Sequence, residues 1–94
     1  MTMTKKYPEG PLKAVMQSQD LAHRAINLCE SAFTLLEFGG KVELYRRECE
    51  RAAAACFRVA REIAMDARKI AEDDGTELPP NVEDALRKAL EAKP

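Results

Sequence analysis

The residues of this chain best suited to chemistry are three cysteines, Cys29, Cys49 and Cys56. A thiol-based sensor would use Cys29 and Cys49, which the pattern of apolar residues places on facing helices. Cysteine is also a small buried hydrophobe, and we favour that interpretation. The odd number of cysteines and the lack of a C-x2-C spacing argue against a disulfide framework and a zinc site. We therefore expect reduced thiols and a cytoplasmic location.

A row of arginines is the second candidate for chemistry. It lies on the outer side of the second predicted helix and consists of Arg47, Arg51, Arg58, Arg61 and Arg68. Guanidinium groups match phosphate geometry, so the row could follow a nucleic-acid backbone. Glutamates interleave with these arginines at spacings of three or four residues, which is typical of a solvated helix face. We favour the solvated face and keep a nucleic-acid-binding regulator as the alternative.

Catalysis is not predicted. The single histidine, His23, has no evident partner for a triad or a metal site. The chain contains no Gly-rich phosphate loop, no G-x-S-x-G and no H-E-x-x-H motif. Its carboxylates fall on the outer faces of the predicted helices, where water screens them. We predict no enzyme activity, no cofactor and no metal, and no motif identifies a family.

The spacing of apolar residues and the positions of glycine and proline predict three helices. Residues 1–10 form a flexible lead, residues 11–74 a helical hairpin, residues 75–80 a linker, and residues 81–94 a short C-terminal helix and tail. We expect the first helix to begin at Pro11 and to end at Phe38, because Gly39-Gly40 favours a turn. The second should end at Asp74-Gly75. Two rods joined by so short a turn fold back antiparallel.

The apolar surface of each long helix is wider than one neighbour can cover. In the first helix the main stripe is Leu12, Val15, Gln19, Ala22, Ile26, Cys29, Phe33 and Leu36. A second stripe beside it widens the apolar arc to about 160°, more than a two-helix seam needs. The residues of these second stripes that we expect at a protein interface are Leu21, Leu28, Leu35, Ala53, Phe57 and Ala60.

These faces predict an all-α fold: a long antiparallel hairpin with a short C-terminal helix, paired as a four-helix-bundle homodimer. A three-helix monomer is the rival architecture. In the predicted register Phe33 lies beside Tyr45 and Cys29 beside Cys49. Aromatic residues make up only 5% of the chain, so the core must be thin and closely packed.

The functional hypothesis is a small helical adaptor, inhibitor or accessory factor that acts by protein–protein binding. Its expected partners are a second copy and an unknown protein. Net charge is −1, which indicates no particular partner, although the sequence is basic in its middle and acidic towards its end. No secretory signal is evident near the N-terminus, and no apolar run approaches the ~20 residues of a membrane span.

Overall fold

The chain folds into two long antiparallel helices and a short third helix. The computed structural model describes Gly10 and residues 12–93. In it α1 spans Leu12–Lys41, α2 spans Arg46–Asp74 and α3 spans Pro80–Glu91. The described residues contain no strand, so the predicted all-α class with its long hairpin is confirmed. Except for Gly10, the predicted lead and the helix start at Pro11 lie outside the described residues.

The turn between α1 and α2 differs from the predicted two-glycine hinge. The first helix runs through Gly39 and Gly40 to Lys41, and neither glycine has a positive φ. Val42 and a short 3-10 helix at Glu43–Tyr45 make the reversal instead. The prediction failed because glycine also serves where two backbones approach closely: Gly39 is buried against Arg46 and Cys49 of α2.

This longer turn shifts the pairing of α1 with α2. Phe33, predicted beside Tyr45, instead meets Phe57 edge to face, with ring centroids 5.1 Å apart. Farther from the turn, the Ser18 hydroxyl donates to the Ala67 carbonyl at 3.2 Å. The predicted register is therefore wrong, and a residue of α1 meets α2 about two to three helical turns further along than expected.

Small side chains form the seam between α1 and α2. Its buried α1 residues are Ala14, Ser18, Ala22, Ala25, Cys29, Ala32 and Gly39. Its buried α2 residues are Cys49, Ala53, Phe57, Ala60, Ala64, Ala67 and Ala71. Alanine at facing positions lets helix axes approach closely, and larger apolar residues then cover the seam from its flanks. Leu12 and Phe33, which the main stripe placed in the seam, are 62% and 50% exposed.

Backbone geometry ends α2 as predicted and starts α3 differently. Gly75 has φ 68°, and its amide donates to the Glu72 carbonyl while the Thr76 amide donates to the Ala71 carbonyl. This arrangement is a Schellman cap, which requires a left-handed residue. For α3, the sequence predicts a start at Asn81, because Asn81 followed by Asp84 three residues later resembles a capping arrangement.

Instead Pro80 occupies the first turn of α3, and the residue before it makes no side-chain cap. Proline suits this position because its fixed φ matches the helix and its missing donor would have had no partner. Asp84 is engaged elsewhere: its carboxylate pairs with Lys88 at 3.2 Å and with Arg87. These contacts hold the pKa of Asp84 below its ordinary value.

Candidate protein-interaction surface

The third helix covers one of the two faces of the hairpin. Val82, Leu86 and Ala89 are buried, and all three belong to the core cluster. On the α2 side Arg68 Nη2 donates to Glu83 Oε1 at 3.1 Å. On the α1 side, clefts beside α3 are lined by Gln19, Ala22, His23, Ile26, Cys29, Glu30 and Phe33. The C-terminal helix thus accounts for one flank of each long helix.

The opposite flanks of α1 and α2 form an apolar surface that α3 does not reach. At 100° per residue, Leu21, Leu28 and Leu35 lie about 140° to 180° around α1 from Ile26, which borders α3. A matching row on α2 lies about 120° to 180° from Arg68. We call the two rows together the open face: Leu21, Leu28, Leu35, Cys56, Val59, Ile63 and Ile70. All but Val59, which is 38% exposed, are half-buried.

The residues predicted at a protein interface divide into two groups. Leu21, Leu28 and Leu35 lie on the open face, where they pack against the core and keep part of their surface exposed. In contrast, Ala53, Phe57 and Ala60 are at most 2% exposed and belong to the core of the single chain. These three α2 residues face α1 in the seam, so they are not available to a partner while the hairpin stays closed.

A second exposed apolar cluster, which the sequence did not suggest, lies at the turn. Phe38, Leu44 and Tyr45 are 48%, 78% and 50% exposed, and the rings of Phe38 and Tyr45 stack with centroids 6.3 Å apart. We call these three residues the turn patch. It was not predicted because the first helix was expected to end at Phe38, with a tight glycine turn directly after it. The signal available in the sequence was that Phe38 and Leu44, close to the two glycines, belong to neither predicted apolar stripe.

The arginine row stays on the outer side of α2, except at one end. Arg47, Arg51, Arg58 and Arg61 are exposed, whereas Arg68 is half-buried and bound to Glu83 of α3. Near the turn the row is mixed with acid: one open cleft is lined by Glu43, Arg46, Arg47, Glu50, Arg51 and Ala54. The structure therefore offers four exposed guanidinium groups, interrupted by carboxylates, in place of a continuous row of five.

The cysteines do not form the predicted pair. Cys49 faces Gly39 near the turn, whereas Cys29 lies farther along the seam, within electrostatic reach of Cys56. All three are free thiols, and Cys29 and Cys49 are buried. Burial above all, then Cys56 and Glu30, raises the pKa of the Cys29 thiol. A raised pKa keeps the thiol protonated and lowers its reactivity.

Several polar residues line a cleft beside α3. His23 is exposed and borders a cleft that also contains Asn81, Asp84 and Lys88. Gln19, which interrupts the main stripe, is exposed in the same cleft, while Ser18 supplies the buried polar group of the seam. Over the described ranges, no cluster of His, Cys, Asp and Glu side chains has metal-binding geometry.

Comparisons with protein-family models, curated proteins and solved structures find no match to this chain. Function must therefore be argued from the surfaces themselves. None of the described helices is long and apolar enough to cross a membrane.

Proposed function

We propose that this chain is a small helical interaction protein that regulates by binding another protein through the open face. The observation that carries this proposal is the placement of Leu21, Leu28 and Leu35 on the flank that α3 leaves uncovered. Contiguous apolar surface on a small protein is characteristic of interaction sites. The groove between two antiparallel helices is also the shape that accepts the apolar side of further helices.

The asymmetry between the two sides of the hairpin supports this assignment. On one side α3 buries Leu86 completely and leaves Ile26 half-buried against the core. On the other side leucine and isoleucine rows of similar composition have no covering element among the described residues. A helical partner on the open face would complete the packing that α3 completes opposite.

A nucleic-acid-binding regulator is the rival proposal, and it rests on the exposed arginines Arg47, Arg51, Arg58 and Arg61. It has weaker support because acidic residues lie among them and Arg68 is held by Glu83. A surface that follows phosphates normally shows an uninterrupted basic excess. A thiol sensor has less support again, because Cys29 and Cys49 are buried at separate places in the seam.

Site-specific cross-linking in the source cells tests the proposal. A photoreactive residue would replace Leu28 on the open face or, as the matched control, Arg58 on the outer face of α2. We expect protein adducts from position 28 only, and we expect Leu21→Asp to remove them. Equal adducts from both positions, or none from position 28, would overturn the proposal.

The rival is tested by gel retardation with DNA and RNA over a range of salt. For binding by arginines we would expect a steep loss of affinity with salt and a further loss in the Arg58→Glu, Arg61→Glu variant. Retardation that persists in Leu28→Asp and disappears in the double arginine variant would favour nucleic acid as the partner.

A further inference from the structure

The two sides of the open face carry opposite net charge. The α1 side is bordered by two cations, Lys13 and Arg24, and by one acid, Asp20, which lies about 20° further round towards solvent than Lys13. The charged residues bordering the α2 side are all acidic: Glu48, Asp66 and Asp73. A surface with one basic and one acidic border can bind a copy of itself if each basic border meets an acidic one.

Two contacts inside the hairpin relate the heights of α1 residues to those of α2 residues, and their registers differ by five residues, or about 7.5 Å along the helices. Ser18 meets Ala67, and Phe33 meets Phe57. Lys13 is five residues beyond Ser18 towards the open end of the hairpin, and Asp73 is six residues beyond Ala67. The two border charges therefore lie at nearly the same height.

The second charge pair is less closely aligned. Counted from Phe33 and Phe57, Arg24 and Asp66 each lie nine residues away from the turn and are level, whereas counted from Ser18 and Ala67 they differ by five residues. Arg24 and Asp66 therefore lie within about 7.5 Å of the same height, a distance that the long arginine side chain can span. Within one chain they border opposite sides of the open face, so they are placed to meet across an interface between two chains.

We propose that the open face binds a second copy through a two-fold axis parallel to the helices, with both turns at the same end. This proposal rests on the proposed function and names its partner. The symmetry keeps every residue at its own height and lays α1 of one copy antiparallel to α2 of the other. Lys13 then meets Asp73 of the second copy, and Arg24 meets Asp66, each pair occurring twice.

The apolar rows match in this arrangement. Counted from the two contacts, Leu28 falls at the height of positions 57–62 of the second copy, beside Val59. Leu21 falls between Ile63 and Ile70, and Leu35 falls beside Ala52 and Cys56. Each leucine of α1 thus meets apolar side chains of α2 at the core of a four-helix bundle.

The other two-fold arrangement places like charges together. A two-fold axis perpendicular to the helices lays α1 on α1 and α2 on α2, with the turns at opposite ends. The acidic border of α2, with Glu48, Asp66 and Asp73, would then face itself without an intervening cation. Such juxtaposition disfavours association, so the charges select the arrangement with both turns at one end.

Charge reversal and sedimentation test the pairing. We expect the purified chain to sediment at twice its 10.5 kDa. Arg24→Glu or Asp66→Lys should each weaken dimerisation at least about tenfold, because each change places like charges at two positions. The double variant should return to within about threefold of the unaltered Kd. Lack of rescue with both variants folded, judged by circular dichroism, would overturn the pairing.

Spin labels at the turn test the orientation separately. The three cysteines would be replaced by alanine, and a spin label would be attached at Leu44→Cys. Leu44 is suitable because it is 78% exposed in the native chain. Turns at the same end would give a distance distribution below about 35 Å, whereas turns at opposite ends would lie about 45 Å apart, the length of α1. The longer distance would overturn the proposed symmetry.

The outcomes also separate this inference from the proposed function. A mass of one chain at all concentrations, combined with protein adducts at position 28 in cells, would remove the second copy and leave binding of another protein. A mass of one chain without such adducts would remove both.

Discussion

Gly39 of α1 lies against Cys49 of α2 so closely that a Cβ at position 39 would be 2.9 Å from the Cβ of Cys49. It would also lie 3.4 Å from the Cα of Arg46. We expect Gly39→Ala to force the two helices apart beside the turn and to lower the free energy of unfolding by about 1–3 kcal/mol. Thermal unfolding followed by circular dichroism measures this change.

Gly40 is the matched control, one residue further on in the same helix. A Cβ there would meet nothing within 4 Å. We expect Gly40→Ala to stabilise the fold by about 0.5–1 kcal/mol, because alanine loses less backbone entropy in a helix. If both substitutions stabilised the protein to the same extent, the close approach at Gly39 would be refuted.

The alanine seam predicts sensitivity to larger side chains. Ala60 is fully buried, whereas Ala54 is exposed on the outer side of α2. We expect Ala60→Leu to destabilise the fold by about 1–3 kcal/mol through overpacking. Ala54→Leu should change stability by less than about 0.5 kcal/mol. Denaturant titrations of the two variants at one protein concentration compare them directly, and equal midpoints would contradict the close seam.

Docking of α3 depends on Leu86, which has no exposed surface. We expect Leu86→Ala to cost about 2–5 kcal/mol, because it leaves a cavity where all three helices meet. Leu44→Ala, at a position 78% exposed, is the control and should cost little. Hydrogen exchange should show faster exchange of α3 amides in the Leu86 variant. Unchanged protection of α3 would mean that another residue holds this helix.

The buried thiol of Cys29 should make the stability of the fold depend on pH in the alkaline range. Its pKa is raised above the ordinary 9.0 by burial, by Cys56 and by Glu30. Because the native state holds the proton more tightly, this group stabilises the fold fully below about pH 9, and the contribution is lost as pH rises through the native pKa. We therefore expect Cys29→Ala to lose less stability than the unaltered chain above pH 9. Parallel alkaline losses in the two proteins would contradict this assignment.

Much of the fold could be predicted from local signals. The helical spacing of apolar residues predicted the two long helices. Asp74-Gly75 predicted the end of the second helix, because a glycine in the left-handed conformation terminates a helix whatever surrounds it. The short third helix was also predicted from the spacing of its apolar residues, and the structure buries its Val82 and Leu86. The end of α1 was not predictable in this way, because Gly39 is used for a tertiary contact.

The candidate site was predicted only in part. Leu21, Leu28 and Leu35 were expected on a partner-binding surface, and they lie on the face that α3 leaves open. Their α2 counterparts were expected at Ala53, Phe57 and Ala60, which instead line the seam. A wide apolar arc does not indicate which of its stripes faces the neighbouring helix, because that depends on how closely the two helices approach.

The sequence by itself determined the helical class, the number of helices and the excess of apolar surface, because periodicity and capping act within a few residues of the chain. Only the tertiary structure decided the register, the choice of the alanine stripe as the seam and the side that α3 covers. These depend on the closest packing of complete side chains across the hairpin. That packing places Gly39 against Cys49 and leaves Leu21, Leu28 and Leu35 on the open face.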